Sequence, residues 1–186
     1  MLFRSLESRK TILDFLDSTS LAPNLALTVL LLYAHEVQSW IDGDTPAVLD
    51  VASSLLLAEK HATDGNWDLL LEFFKNLEIL TPQWHIRLTS PAASAEWDAG
   101  IFVLIRYFIE RYWLQAVSDY DHICRVKFMI AACMLIHHLG GNLQETAQLF
   151  SKEIENDPDN LEAILDGAYT SPVLTDMHLL SLLQNG

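Results

Sequence analysis

The two cysteines are the first residues whose chemistry can be tested against their spacing. Cys124 and Cys133 fall in one predicted helix. At the usual rise per residue they lie about 13.5 Å apart along its axis. That separation is too long for a disulfide bond or for a shared metal ion. We therefore interpret both thiols as small buried hydrophobic side chains.

Two adjacent histidines end the same predicted helix. The side chains of His137 and His138 diverge by about 100° on a helix, so one metal ion is not easily held by both. Neither a Glu-x-x-His pair nor a His-Glu-x-x-His run occurs in the sequence, which leaves a di-iron bundle or a zinc protease without ligands. We expect no metal in this chain. Both rings suit a helix end electrostatically, and His137 is also a candidate binding residue.

Aromatic residues and arginines gather near the end of a long predicted helix. The candidate binding residues of this group are Tyr107, Arg111, Trp113 and Tyr120. Such residue types dominate binding hot spots because they bury much area and still form hydrogen bonds. On this reading Arg111 and the rings hold an anionic or planar group. In the alternative reading the rings pack between helices, Arg111 pairs with a nearby carboxylate, and Arg106 pairs with Glu110 at the i, i+4 spacing.

No other motif in the sequence points to a reaction. A glycine-rich phosphate loop and a Gly-x-Ser-x-Gly elbow are both missing from it. We therefore assign no catalytic residue.

Composition describes a folded and acidic protein. The 186 residues are 51% hydrophobic and 19% charged, which excludes a disordered chain and is enough for one helical domain spanning residues 1–186. The net charge is −14, from 25 acidic and 11 basic residues. A surface this acidic repels phosphate backbones and anionic lipids, so we predict that neither nucleic acid nor a membrane is the partner.

The N-terminal residues predict a cytoplasmic protein. The stretch MLFRSLESRK carries charges throughout and lacks the apolar region of a signal peptide. Two cysteines in one predicted helix also differ from the disulfide framework of small secreted domains.

Hydrophobic periodicity predicts an all-α fold, a bundle of about eight or nine helices. Its central helix contains nine consecutive apolar residues, Phe128 to Ile136, a run far shorter than the roughly 20 residues that span a bilayer, so we predict a buried core helix. Gly140 and Gly141 end it. Asn142 then caps an amphipathic helix, and Asp157 with Pro158 begins another. A short final helix is predicted from Asp176.

The remaining pattern predicts five more helices. Two span residues 2–16 and 23–41, and a long one spans residues 95–117. One begins at Pro46 with Thr45 as its cap, and one is capped by Asn66. Between Leu80 and Ser94 the periodicity lapses, and we interpret the stretch WHIRLT as extended or irregular. Residues 81–94 are the predicted connection between two sub-bundles, residues 1–80 and 95–186.

Most of the chain resembles the C-terminal helical part of the flagellin lysine-N-methylase family. The segments that carry the resemblance are SRKTILDFLDSTSLAPNLALTVLLLYAHEV, FVLIRYFIERYW, VKFMIAACMLIHHL, LQETAQLFSKEIEND and TDMHLLSLL. The resemblance implies part of an S-adenosylmethionine-dependent enzyme that methylates flagellin lysines. The matching positions are helix-packing positions, so they carry over no catalytic residue.

Family members also carry an N-terminal cysteine cluster, and this sequence has no counterpart to it. The resemblance therefore implies a helical domain that is catalytically inert alone and supports substrate or cofactor binding. It is either a piece of a longer enzyme or a stand-alone relative. S-adenosylmethionine would be a cofactor of the full enzyme, with none in this chain. The expected partners are the missing cysteine-cluster part and flagellin.

A second function remains open from the stretch LFSKEIENDPDNLEAIL, which resembles the junction between tetratricopeptide units. Such arrays repeat at about 34 residues. Counting back by that length from Pro158 leads to Cys124, inside an apolar helix without a turn. The alternative function is a non-catalytic helical scaffold for protein–protein interaction.

Overall fold

The computed structural model describes residues 1–43, 45–61, 65–92 and 96–184. Over these residues the chain is helical and contains no strand, which confirms the all-α prediction. The helices are α1 Leu2–Ser18, α2 Pro23–Asp42, α3 Val51–His61, α4 Trp67–Lys75, α5 Pro82–Thr89, α6 Gly100–Tyr112, α7 Ala116–Asp119, α8 His122–Leu139, α9 Leu143–Phe150, α10 Pro158–Thr170 and α11 Asp176–Gln184. Ten of them have eight or more residues, close to the eight or nine expected.

Helix α8 forms the centre of the bundle. It packs against α2, α6, α9, α10 and α11, because a helix that is apolar all round must be covered on every side. By length and composition alone it could cross a membrane, but 83% of it is buried inside the protein, as in the core helix predicted from its sequence. Side chains from both predicted sub-bundles, such as Leu30 and Phe108, join one hydrophobic core around it.

Short-range capping fixes where several helices begin, as the sequence predicts. The side-chain oxygen of Asn66 accepts a hydrogen bond from the Asp68 backbone N–H. Asn142 does the same for Glu145 at 3.0 Å, and Asp157 for Asn160 at 2.8 Å. Each bond satisfies a backbone donor that has no partner within its helix.

The stretch WHIRLT is helical, so its interpretation as extended or irregular is wrong. It lies in α5, whose first residue is Pro82. The hydroxyl of Thr81 accepts from the Trp84 backbone N–H at 3.3 Å, and Trp84 and Leu88, one turn apart, are fully buried. Eight residues offer only two turns, too few for a clear hydrophobic period.

Two predicted helix boundaries are also wrong. Helix α3 begins at Val51 rather than Pro46, because the Asp50 carboxylate caps it by accepting from the Ser53 backbone N–H at 3.0 Å and hydroxyl at 2.7 Å. The long helix is interrupted: α6 ends at Tyr112, and a 3-10 turn over Trp113–Gln115 leads into α7. Ala95, the predicted first residue of that helix, lies outside the described residues.

His122 gives the fold an acid-sensitive position. It is fully buried beside the Trp113 ring, both of its ring nitrogens lack a hydrogen-bond partner, and burial lowers its pKa to about 3. In the unfolded chain a histidine has a pKa of about 6.5. The neutral ring therefore contributes its full stability above about pH 6.5, and this contribution is lost as the pH falls toward about 3.

We expect His122→Leu to make unfolding less sensitive to acid. Between pH 7.5 and 4.5 the wild-type protein should lose about 2 to 3 kcal/mol more free energy of unfolding than the variant, since each pKa unit corresponds to about 1.4 kcal/mol. Urea unfolding at the two pH values measures this difference. His85→Leu, at an exposed position, is the control. An equal loss in wild type and His122→Leu would contradict the assignment.

Candidate functional site

A groove between α6 and α9 is the candidate site. The two helices begin at the same end of the groove, where a Cβ atom added at Gly100 would lie 3.2 Å from Leu143 Cδ2. At the other end the Tyr107 hydroxyl donates to Glu155 Oε1 at 2.9 Å. The helices therefore run in the same direction, and the groove between them has a volume of about 600 Å³.

The walls of the groove are mainly apolar and reach the surface. The apolar lining residues are Val103, Leu104, Phe108, Leu143 and Ala147. The Val103 side chain is exposed, with 73% of its surface accessible. Gln144, Gln148 and Ser151 supply the polar lining. An open apolar groove with a few polar groups is typical of a binding site.

One end of the groove is polar and contains several hydrogen bonds to Glu155. We call it the Glu155 end. Oε1 of Glu155 accepts from the hydroxyls of Tyr107 and Tyr112, both at 2.9 Å. Nε of Arg111 lies 3.1 Å from the same oxygen. The Glu155 side chain is only 1% exposed, so these donors compensate for the burial of its charge.

The tyrosines at the Glu155 end stay protonated and act as donors. Burial raises the pKa of Tyr112, and the nearby Glu155 carboxylate raises it further. The pKa of Tyr107 is raised by the same two causes. Arg111 is different, because its side chain is 45% exposed. The outer part of its guanidinium therefore reaches solvent beside the groove.

A π-helical turn brings Glu155 into this position. Residues Ser151–Glu155 continue α9 as a π helix, in which the Asn156 backbone N–H donates to the Ser151 carbonyl at 3.0 Å. The wider turn buries three consecutive side chains, Glu153, Ile154 and Glu155. In a regular α-helix of the same length Glu155 would be rotated by about 100° from its present direction. Turns of this kind often occur at functional sites.

The structure groups two of the five candidate residues from the sequence. Tyr107 and Arg111 meet at the Glu155 end, while Trp113 is fully buried and donates through Nε1 to the Ser8 hydroxyl at 3.1 Å. Tyr120 is 68% exposed at the end of α7, and its carbonyl accepts from Gln38. His137 stacks on Trp97. The Arg111–Glu155 pair and the buried Trp113 are features of the packing alternative.

Sequence reasoning missed Tyr112 and Glu155 as members of the site. Tyr112 follows the apolar stripe of α6 and is 1% exposed. Glu155 follows Ile154, and regular helical spacing directs it away from the stripe of α9. A buried tyrosine hydroxyl needs a hydrogen-bond partner. The apolar stripe that places Tyr112 in the core is therefore the signal that could have pointed to a partner such as Glu155.

A partly buried cluster of three charged or titratable side chains lies elsewhere in the protein. Asp176, at the start of α11, contacts His35 Nε2 at 2.9 Å and Lys127 Nζ at 3.0 Å. Although burial acts to raise the pKa of Asp176, hydrogen bonds from these two partners lower it to about 2. The three residues connect α2, α8 and α11. Because Lys127 is only 8% exposed, we interpret this cluster as structural.

Both cysteines are free and buried. Burial raises the pKa of Cys124 to about 12 and raises that of Cys133 as well, so both thiols remain protonated and poorly nucleophilic. This confirms their interpretation as small hydrophobic side chains. Residues 1–43, 45–61, 65–92 and 96–184 contain no group of three or more histidine, cysteine or acidic side chains that could hold a metal ion.

Comparison of the chain with family models, with curated protein sequences and with solved structures found no significant match.

Proposed function

We propose that this chain is a protein-binding helical domain, and that the groove between α6 and α9 seats a segment of a partner protein. The observation that carries the proposal is the apolar groove, open to solvent along Val103 and closed by the hydrogen-bonded Glu155 end. Following the sequence resemblance, we propose that the domain belongs to an S-adenosylmethionine-dependent protein lysine N-methylase. The bound segment would then carry a substrate lysine, as flagellin does.

The walls of the groove favour a helical segment over an extended one. Both walls are helices, whose backbone groups are already hydrogen-bonded within α6 and α9, so they cannot add a strand. A partner helix satisfies its own backbone and needs only an apolar stripe to fill the groove. The amides of Gln144 and Gln148 lie where they can bond its polar edge.

Charge favours a basic partner. Six basic side chains each contact a carboxylate: Lys10, Lys75, Arg106, Arg111, Arg125 and Lys127. Most of the −14 net charge therefore lies on other acidic residues. Two of these, Glu96 and Asp98, are exposed beside the Gly100 end of the groove. A lysine can lay its methylene stem on apolar walls while its ammonium group reaches such carboxylates or solvent.

In this proposal the chain binds the substrate and performs no methyl transfer by itself. S-adenosylmethionine would supply the methyl group in the full enzyme, together with the cysteine-cluster part that the resemblance implies. The cytoplasmic location stays a prediction from the sequence.

A second candidate function is a scaffold that binds a helix without regard to lysine. The observation that favours it is the compensated charge of Glu155, whose Oε1 already has Arg111 and two tyrosine hydroxyls as partners. With that charge compensated, the groove selects mainly for apolar surface.

Binding of flagellin peptides tests the groove. We expect overlapping peptides that cover a flagellin to include lysine-containing binders, measured by fluorescence anisotropy. Val103→Lys places on the groove wall a charge of the same sign as that of the substrate lysine and should weaken binding at least about tenfold, as for a residue at a binding hot spot. Leu56→Lys makes the same change at another exposed helix position, 67% accessible, and should bind normally. Equal binding by both variants would exclude the groove, and no binding by the wild-type protein would contradict the proposed partner.

Replacing the lysine of a bound peptide by norleucine separates the two functions. Norleucine keeps the aliphatic stem and removes the charge. A methylase substrate domain should bind this peptide more weakly than the lysine peptide, whereas a scaffold should bind both equally.

A further inference from the structure

The end of α8 carries two histidine–tryptophan stacks. The ring of His137 lies on Trp97 with centroids 3.7 Å apart and planes inclined by 19°. The ring of His138 lies on Trp67 at 4.3 Å and 8°. Trp67 is the first residue of α4, and Trp97 precedes α6 by three positions. Two adjacent histidines therefore hold the starts of two different helices.

The stack of His137 and Trp97 lies near the Gly100 end of the groove. A small cavity of about 40 Å³ lies between the stack and the groove, and its lining includes Glu96, Asp98, His137 and Leu143. Leu143 also lines the groove. Asp98 Oδ1 accepts from the Gly100 backbone N–H at 2.6 Å, so the segment that His137 holds is tied directly to the first turn of α6.

Charged groups surround the stacks on each element that packs there. Asp98 acts on His137 and Asp68 acts on His138, and each raises the pKa of its histidine. Glu96 lines the cavity beside His137. From α5, the Arg87 guanidinium lies close to Gly141, with Nη1 2.7 Å from where a Cβ atom would be.

Opposing effects act on protonation of the two rings. The indole face, the end of α8 and the aspartates each stabilise a cationic imidazole. Burial acts in the other direction and is the largest cause for both histidines, and for His137 the neighbouring His138 adds to it. The pKa of each is lowered as a result, so the stacked rings are favoured in their neutral form.

We propose that the two stacks form an acid-sensitive clamp at the Gly100 end of the groove. At neutral pH, His137 and His138 hold Trp97 and Trp67 against the end of α8. Mild acid favours an open state in which the imidazoles are protonated and hydrated, and Trp97 leaves the start of α6 unsupported. The effect of opening on partner binding rests on the function proposed above, whereas the clamp itself does not.

The sign and size of the effect follow from proton linkage. The closed clamp is fully favoured above about pH 6.5, the pKa of a free histidine. Since the pKa of each ring is lower in the closed state, the advantage of closing is lost as the pH falls below that value. At pH 5.0 the equilibrium constant for opening therefore increases by up to about 30-fold for each histidine that is released.

Amide hydrogen exchange followed by mass spectrometry tests the clamp without any ligand. After correction for the intrinsic rate, residues 96–101 should exchange several-fold faster at pH 5.0 than at pH 7.5, while residues 128–136 in the centre of α8 should keep their protection. His137→Phe keeps an aromatic ring on Trp97 and removes the titration, so it should lose most of the pH dependence. His85→Phe, at an exposed position of α5, should behave as wild type.

A second variant covers the case in which His137→Phe does not fold. Trp97→Leu removes the indole from a partly buried position and should give fast exchange over residues 96–101 at both pH values. The clamp is overturned if wild-type exchange in this segment does not depend on pH, or if either variant keeps the wild-type dependence. Failure of the groove to bind peptides would leave these exchange results unchanged.

Discussion

Replacing Cys133 by aspartate should unfold the protein or remove most of its stability. Cys133 lies in the middle of α8 with no exposed surface, and the raised pKa of its thiol reflects how strongly this burial disfavours a charge. An uncompensated buried charge costs several kcal/mol, which is comparable with the roughly 5 to 15 kcal/mol of a whole domain. Circular dichroism during heating measures the loss as a lowered or missing melting transition.

Cys133→Ala is the matched control for this change. It removes one buried sulfur atom and leaves a small cavity, so it should cost only about 1 kcal/mol. A melting temperature for Cys133→Asp within about 3 °C of the alanine variant would show that α8 is not the core of the protein.

Asn160→Leu should be the next most damaging of the substitutions considered. Asn160 is 2% exposed and bonds to the segment before α5: its Oδ1 accepts from the Glu78 N–H at 2.9 Å, and its Nδ2 donates to the Glu78 carbonyl at 2.8 Å. Nδ2 also donates to the Glu153 carbonyl at 2.9 Å. Leucine leaves three backbone groups without these bonds, at a cost of about 3 to 5 kcal/mol.

Urea unfolding at neutral pH measures this cost. Asn156→Leu is the control, because Asn156 is exposed and its side chain makes one bond, to the Ser151 carbonyl. We expect that variant to lose less than about 1 kcal/mol. If both variants lost the same amount, Asn160 would not be the tie between α10 and the start of α5.

The features predicted correctly from the sequence are those encoded over a few residues. The apolar run around Cys133 predicts a covered helix without knowledge of its neighbours. Asn142 and Asp157 cap their helices through residues only three positions away. Such signals need no information about the rest of the chain.

The features that were missed depend on contacts between distant residues. Helix α5 is held by Glu153, whose Oε2 accepts from the Leu80 N–H at 2.8 Å across 73 residues. Asn160 reaches Glu78 across 82 residues. Neither contact leaves a periodic trace in the sequence, and α5 is too short to provide its own.

The candidate site was predicted only in part for the same reason. The choice of aromatic residues and Arg111 identified one wall of the Glu155 end, but Glu155 lies 48 positions beyond Tyr107. Trp113 belongs to the same sequence cluster, yet its indole bonds to Ser8 on α1, 105 residues away. Trp113 follows Arg111 by two positions, and residues two apart on a helix diverge by about 200°, so neighbours in sequence separate in space.

Because of the π turn at Ser151–Glu155, different residues set the shape of the groove and the chemistry at its Glu155 end. Its walls are set by α6 and by the regular part of α9, whereas the group presented at its closed end is set by the extra residue in the π turn. In a regular α-helix of the same length Glu155 would be rotated by about 100° from its present direction, because a π turn takes up one residue more than an α turn does. The π turn thus decides which group lies at this end of the groove, while Val103, Leu104 and Ala147 keep the same shape for a partner.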